Sequence, residues 1–358
     1  MRPRRKFRGG QRGDSGNIAG TIIPARRPAV MRGSVPVGTV PALQPGTPLR
    51  NVTPPGLQNE HFSEVTPMQP DPIKQVVLDF DGTCTQIPPV YAHYLELYLV
   101  GLNEAGFKVS PQEWQDAQAV VRAHSPEAGW MLAGCPAAPA AADPYIMADE
   151  AAKLILRQRK DARPLPNINA AAYATAVAPW RDDALDTFAA IVGRGARIII
   201  VSNSSSAFIS GRLAQLLEAR KDLQDKITVQ SDAGKFRICE LTWPDTGAIS
   251  ARDAARFKAL PAAHQGLLQR PLYLRRGAYF EAIHRALAGD LAALSSTLFC
   301  GDVFEMDLAM PHALGARVHL VDRAAPFSTY AYERSALAAC GDRGRGSVEL
   351  GGVLEWFN

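Results

Sequence analysis

The sequence predicts an α/β fold: a mainly parallel sheet, a helical segment inserted after its first strand, and a disordered N-terminal tail. Three observations predict it. Short apolar runs of strand length alternate with helix-like stretches, three of those runs end in polar residues, and residues 1–70 differ in composition from everything that follows. With 358 residues, 47% of them hydrophobic and 21% charged, the chain has the apolar material for a sizeable core in one or two domains.

The tail comes first. Residues 1–70 hold ten of the 39 Lys and Arg but three of the 35 Asp and Glu, so the formal charge of +4 belongs to this segment and the remainder is mildly acidic. Eleven of the 27 prolines and nine of the 29 glycines also fall there, with almost no aromatic residues and no sustained period, so residues 1–72 are expected to be disordered. Its Arg2-Pro-Arg-Arg-Lys-Phe-Arg8 run could hold RNA or an acidic partner through phosphate contacts, although a solvated terminus is the plainer expectation. The fold starts at Ile73-Lys-Gln-Val-Val-Leu-Asp79, which reads as a buried strand.

Helical signals dominate residues 88–190. A helix over residues 90–103 follows a Pro-Pro pair, and Ser110-Pro-Gln-Glu113 opens another with the N-cap, the proline at N1 and the acid of a capping box. Further helices are expected over residues 147–159 and from about 181 to the glycines of Val192-Gly-Arg-Gly195. Strands follow at Arg197–Val201, Ile227–Gln230, residues 297–300 and Arg317–Val321. Strands of this length separated by helices indicate βαβ units, whose ligands lie at the carboxyl ends of the strands.

Several function classes are excluded. No apolar run approaches the roughly 20 residues that span a bilayer, and no apolar stretch follows the basic N-terminus, so neither a membrane-spanning nor a secreted protein is expected; the cytoplasm is. Five cysteines (84, 135, 239, 300 and 340) form no C-x-x-C pair, which argues against a disulfide framework or structural zinc. The seven histidines make no H-E-x-x-H. Gly13-x-x-Gly16-x-x-x-Gly20 lacks the Gly-Lys-Ser/Thr of a phosphate loop, and no G-x-G-x-x-G follows a strand.

Chemistry concentrates at three strand ends. The first is Asp79-Phe80-Asp81-Gly82-Thr83: carboxylates at i and i+2 leave an extended strand on the same side, and Gly82 permits a sharp turn behind them. Two anions about 4 Å apart repel by about 4 kcal/mol at an effective dielectric near 20, so a counter-cation is expected. The second end, Val201-Ser202-Asn203-Ser204-Ser205-Ser206, offers a hydroxyl, an amide and free N–H groups to an anion, or a helix N-cap. The third is Cys300-Gly301-Asp302-Val-Phe-Glu-Met-Asp307, with Asp302 at the strand end and Asp307 in the first helical turn. Converging, these acids would supply hard oxygen ligands suited to Mg²⁺, whose remaining shell comes from water and substrate phosphate.

In these motifs the chain resembles the haloacid dehalogenase (HAD) superfamily, whose signature is D-x-D-G-T after a strand, a later strand ending in Ser/Thr, a Lys or Arg, and G-D-x-x-x-x-D. The resemblance covers about residues 73–325. It implies a Rossmann-like core with a helical cap, and a phosphatase in which Asp79 is the nucleophile and Asp81 the acid and base. Asp79, the Asp81 carbonyl and Asp302 would hold Mg²⁺, with Asp307 either a further ligand or a support behind them, and Ser202 and Asn203 toward the phosphate. Superfamily members that displace halide lack the acid of Asp81, so its presence implies phosphoester chemistry on a small phosphorylated substrate; phosphotransfer to another hydroxyl and a catalytically silent binding module are the alternatives.

The basic residue is ambiguous. Lys235 lies 67 positions before Asp302, whereas Arg275 and Arg276 lie 27 and 26 before it, which is nearer the usual spacing and favours the arginine pair. Residues 87–180 occupy the place of a cap, with Tyr91, Tyr94, Tyr98, Trp114, Trp130 and Tyr145 available either to a substrate or to the cap's own core. The core is then residues 73–86 and 181–358, with an insertion at 236–272 that either covers the site or decorates the sheet edge.

Overall fold

The computed structural model describes residues 71–238 and 249–358; the tail up to residue 70, Cys239 and the centre of the 236–272 insertion lie outside the described residues. Strand β1 (Gln75–Leu78) is followed by helices α1 (Tyr91–Glu104) and α2 (Pro111–His124), a hairpin of β2 (Gly129–Leu132) and β3 (Cys135–Pro139), and helices α3 (Pro144–Gln158) and α4 (Asn169–Thr175). The chain returns through α5 (Ala184–Gly193) to β4 (Arg197–Val201), α6 (Ser206–Leu216) and β5 (Ile227–Gln230). Next come α7 (Ala251–Ala259), the two-residue strands β6 (Ala263–His264) and β7 (Leu272–Tyr273), and α8 (Gly277–Ala286). Strand β8 (Thr297–Gly301) leads through a π-helical turn, Phe304–Leu308, into α9 (Ala309–Ala313), β9 (Arg317–Val321), α10 (Ala331–Ala338) and β10 (Gly344–Ser347).

Six strands form one parallel sheet in the order β10-β9-β8-β1-β4-β5. Strands buried on both faces need apolar residues at consecutive positions, and β1, β4, β8 and β9 supply them. Val77, Ile199 and Phe299 face a core roofed by Phe257 of α7, Phe280 and Ile283 of α8 and Met310 of α9. Val76, Leu78, Ile198 and Ile200 face the opposite core, with Phe188 of α5, Ile209 of α6 and Trp356. Because β4 and β5 extend the sheet from one side of β1, and β8, β9 and β10 from the other, the strand order reverses between β1 and β8, and a crevice opens at their carboxyl ends.

The segment inserted after β1 builds a core of its own. Tyr94, Tyr98 and Leu102 of α1, Trp114 and Val121 of α2 and Met147, Ala151 and Ile155 of α3 are buried together, and Tyr98 stacks on Trp114 at 5.7 Å between ring centroids. Most of the aromatic residues in this segment therefore serve its own packing. It is less helical than expected, since β2 and β3 pair as a hairpin within it. The box at α2 is half formed: Ser110 Oγ accepts from the Glu113 N–H at 3.2 Å, but the Glu113 carboxylate receives the Arg159 guanidinium, Nε at 2.7 Å, and a charge-assisted pair outcompetes the neutral cap N–H. Strand β10 was not expected, because Gly344-Arg-Gly-Ser347 contains no apolar run; as an edge strand it needs none. Among the described residues no helix is long and apolar enough to cross a membrane.

Candidate active site

The acids stand where the sheet pattern ends. Asp79 follows β1 directly, and its N–H still donates to the Cys300 carbonyl of β8 at 2.9 Å, so the ladder fixes its position. Asp302 follows β8, and Asp307 lies in the π-helical turn, not in an α-helical first turn as expected. One carboxylate oxygen from each of Asp79, Asp302 and Asp307 lies within 4.8 Å of the others. Two glycines permit this approach. Gly82 turns with φ +84°, and a Cβ there would lie 2.3 Å from Asp302 Oδ2; a Cβ on Gly301 would lie 2.3 Å from that of Asp307.

Protein donors fill part of the acid shell. Thr83 Oγ1 donates to Asp79 Oδ2 at 3.2 Å or Asp302 Oδ1 at 3.3 Å, and the Val303 N–H donates to Asp307 Oδ2 at 3.0 Å. Lys235, 1% exposed, places Nζ 2.6 Å from Asp79 Oδ1 and 2.9 Å from Asp307 Oδ1. Burial alone would push its pKa down, but Asp307 and Asp79 outweigh it and hold the ammonium above its usual value. Burial pushes Asp79 up to about 7, with Lys235 opposing the rise and Asp307 and Asp81 adding to it. Burial likewise raises Asp302, opposed by Arg323 and reinforced by Asp79 and Asp307. Three buried carboxylates against one ammonium leave an excess of negative charge, and an all-oxygen donor set of this size fits a hard divalent cation.

Asp81 takes part in a ring of hydrogen bonds. Its Oδ1 accepts from the Tyr173 hydroxyl at 2.6 Å and its Oδ2 from Ser204 Oγ at 2.7 Å, and the two hydroxyls lie 2.9 Å apart. Burial raises the Asp81 pKa, with the bonds from Tyr173 and Ser204 opposing it. Tyr173 belongs to α4, so the inserted segment reaches the second acid of β1. Neither hydroxyl was singled out from the sequence; the serine-rich stretch after β4 was the available signal, but nothing local marks Tyr173.

The ends of β4 and β5 meet at the cation. Ser202 is buried and accepts from the Ser204 N–H at 3.1 Å, while Asn203 Oδ1 accepts from the Lys235 N–H at 2.8 Å and anchors the lysine's backbone. Ser205 Oγ caps α6 by accepting from Phe208 N–H at 3.4 Å, so the helix-cap role of this stretch is present beside any anion-binding one. The arginine pair, preferred from spacing, is elsewhere engaged. Arg275 donates to the carbonyls of Leu260 and Lys258, and Arg276 to those of Tyr273, Lys235 and Ala137. Spacing misled because the 236–272 insertion separates Lys235 from β8 without moving it from the end of β5. Fully buried Arg276 instead ties Lys235 to β3 of the inserted segment.

No protein-family model matches this chain, and no curated protein is detectably similar to it. Solved structures are similar at low identity. A protein described as a predicted phosphoglycolate phosphatase from Haemophilus somnus 129pt is 11% identical, with 80% of this chain and 98% of that one covered and a TM-score of 0.43. A magnesium-bound protein described as a putative HAD-hydrolase from Bacillus subtilis is 12% identical, covering 80% and 100% at a TM-score of 0.40. A HAD phosphatase from Thermococcus onnurineus is 13% identical, covering 79% and 97% at 0.37. Two of these three carry in their descriptions the name of the superfamily that the motifs resemble, and an L-2-haloacid dehalogenase, 12% identical at a TM-score of 0.35, is also among the similar structures.

Proposed function

We propose that this chain is a Mg²⁺-dependent phosphoester hydrolase of the haloacid dehalogenase superfamily, acting through an aspartyl-phosphate on a small phosphorylated substrate. The observation that carries the proposal is the convergence of Asp79, Asp302, Asp307 and Lys235 at one strand-end crevice, with Asp81 two residues from the nucleophile. Mg²⁺ would be held by Asp79, the Asp81 carbonyl, Asp302 and Asp307, and would offset repulsion between the nucleophile and the phosphate dianion.

An Asp79 carboxylate oxygen forms a bond to phosphorus as the bond from phosphorus to the ester oxygen breaks, and Asp81 delivers a proton to the departing alkoxide. Asp81 then takes a proton from water, whose oxygen attacks the acyl-phosphate; inorganic phosphate leaves and Asp79 is restored. Lys235 orients Asp79 and offsets charge throughout, with Arg276 and Asn203 holding its backbone. The presence of Asp81 supports ester hydrolysis over halide displacement, because an alkoxide leaving group needs a proton and a halide does not. Residues 87–180 would act as the cap, excluding bulk water during the first step; the bond from Tyr173 of α4 to Asp81 supports that role.

The expected result is hydrolysis of p-nitrophenyl phosphate in Mg²⁺, loss of activity in EDTA, and a fall of roughly 10³-fold or more in Asp79→Asn. A rate that survives Asp79→Asn would remove the nucleophile and the proposal with it. Transfer to an added alcohol in place of water would instead identify a phosphotransferase.

A further inference from the structure

A second opening reaches the acids from the side of β9 and β10. A cavity of about 390 Å³ lies at the carboxyl ends of these strands, lined by Gly82 and Asp302 and by Asp182, Asp183, Asp322 and Glu349. Asp302 is 3% exposed; Thr83 Oγ1 meets its Oδ1, while its Oδ2 accepts no hydrogen bond among the described residues. A Cβ on Gly82 would lie 2.3 Å from that oxygen, so a larger residue there would cover it.

Charge decides what such a cavity admits. Five carboxylates and two guanidinium groups line it. Neither guanidinium is free: Arg323 is paired with buried Glu333, and Arg181 donates to the carbonyls of Gly82 at 2.8 Å and Val348 at 3.0 Å. On the acid side, Asp322 pairs with Arg334 at 2.9 Å, Asp183 accepts from the Gly351 N–H at 2.7 Å and Asp182 from Gln86 Nε2 at 3.2 Å, and Glu349 is exposed. Counting Glu333 and Arg334 with the lining leaves its excess of negative charge unchanged. A cleft lined by one sign of charge speeds the arrival of the opposite sign by roughly 10- to 1,000-fold, so a cation is drawn in and a phosphate dianion repelled. The groups assigned above to the phosphate and the leaving group agree, since none of Asp81, Ser202, Asn203 and Lys235 lines this cavity. Space agrees as well. Mg²⁺ gives up its waters reluctantly, and six waters at about 30 Å³ each fill roughly half of the volume.

We infer that this cavity is the entrance for the divalent cation, which arrives hydrated past Asp182 and Glu349 and is taken up first by Asp302 Oδ2, on a path separate from that of the phosphorylated substrate. The inference rests on the metal-dependent phosphatase reading and deepens it by giving metal and substrate separate doors. One door would serve both poorly, because a lining that attracts the one ion repels the other.

Metal-binding kinetics of the full-length protein test it, with Mn²⁺ as the probe. Metal-free protein is mixed with Mn²⁺ and a chelating fluorescent dye by stopped flow at low ionic strength, and release is timed in excess EDTA. Asp182→Asn/Glu349→Gln should slow Mn²⁺ association by about fivefold or more and leave release within about twofold of the wild type. The difference in association should shrink to within about twofold in about 0.5 M KCl, where exposed charges are screened. The KM of this variant for p-nitrophenyl phosphate at saturating Mg²⁺ should stay within about twofold. As a control, Glu218→Gln/Asp225→Asn removes two exposed carboxylates near the amino end of β5, at the far end of the strands, and should leave association within about twofold. Equal slowing by both pairs, no slowing by the cavity pair, or a rise in KM that matches the loss of association would each overturn the inference while leaving the phosphatase intact. Mn²⁺ binding with the expected kinetics but no hydrolysis of p-nitrophenyl phosphate would remove the phosphatase reading alone, and absence of Mn²⁺ binding would remove both.

Discussion

Lys235 shows how burial sharpens the role of a single side chain. In water an ammonium beside a carboxylate gains little, whereas at 1% exposure, between Asp79 and Asp307, it is held charged. His319 is the opposite case, a buried base kept neutral. The Trp356 indole N–H donates to Nδ1 at 3.2 Å, which leaves the proton on Nε2 to meet Ser347 Oγ at 2.8 Å. Protonation of Nδ1 would oppose two donors, and burial, reinforced by Arg345, lowers the pKa from 6.5 to about 4. The unfolded chain therefore binds the extra proton as pH falls from 6.5 to about 4, and stability declines across that window by about 3 kcal/mol at most from this residue. Urea unfolding at pH 7.5 and 4.5 should show a smaller loss in His319→Gln than in the wild type; equal losses would clear His319 of any part in acid sensitivity.

Among the elements, the link between β9 and α10 governs the site most directly. Arg323, just past β9, donates through Nη1 to the Asp302 carbonyl and through Nε to the Phe327 carbonyl at 2.9 Å, and pairs with the buried carboxylate of Glu333. Glu333 in turn accepts from the N–H groups of Phe304 and Tyr330, each at 3.0 Å, so one ion pair fixes the end of β8, the π-helical turn and the start of α10. Removing one partner of a buried pair leaves an uncompensated charge. Glu333→Gln should destabilise the protein by about 3–5 kcal/mol in urea unfolding and, by displacing Asp302, lower the proposed phosphatase activity. A loss below about 1 kcal/mol would mean that the guanidinium finds other acceptors. No pattern in the sequence marks either residue, since their partners, each other and several backbone groups, are brought together by packing.

At the level of the whole molecule, the crevice between β1 and β8 exists because the strand order reverses there, and every acid of the site belongs to residues 79–307. Deletion of residues 1–70 should accordingly leave the kcat/KM of the proposed phosphatase within about twofold of the full chain, measured on p-nitrophenyl phosphate; a large loss would give the basic segment a part in catalysis. The strands and their terminal acids were legible in the linear order. A strand buried on both faces must be continuously apolar, and the charges that end it are conspicuous against that background. The partner of the acids was not legible. Lys235 is 156 positions from Asp79 and the arginines are as basic, so the choice depended on which backbone carbonyls took up the guanidinium groups. The same holds for Tyr173 on Asp81. Local composition is enough to dictate burial and chain reversal, but hydrogen bonds between distant side chains arise from long-range packing, which leaves no periodic trace in the order of residues.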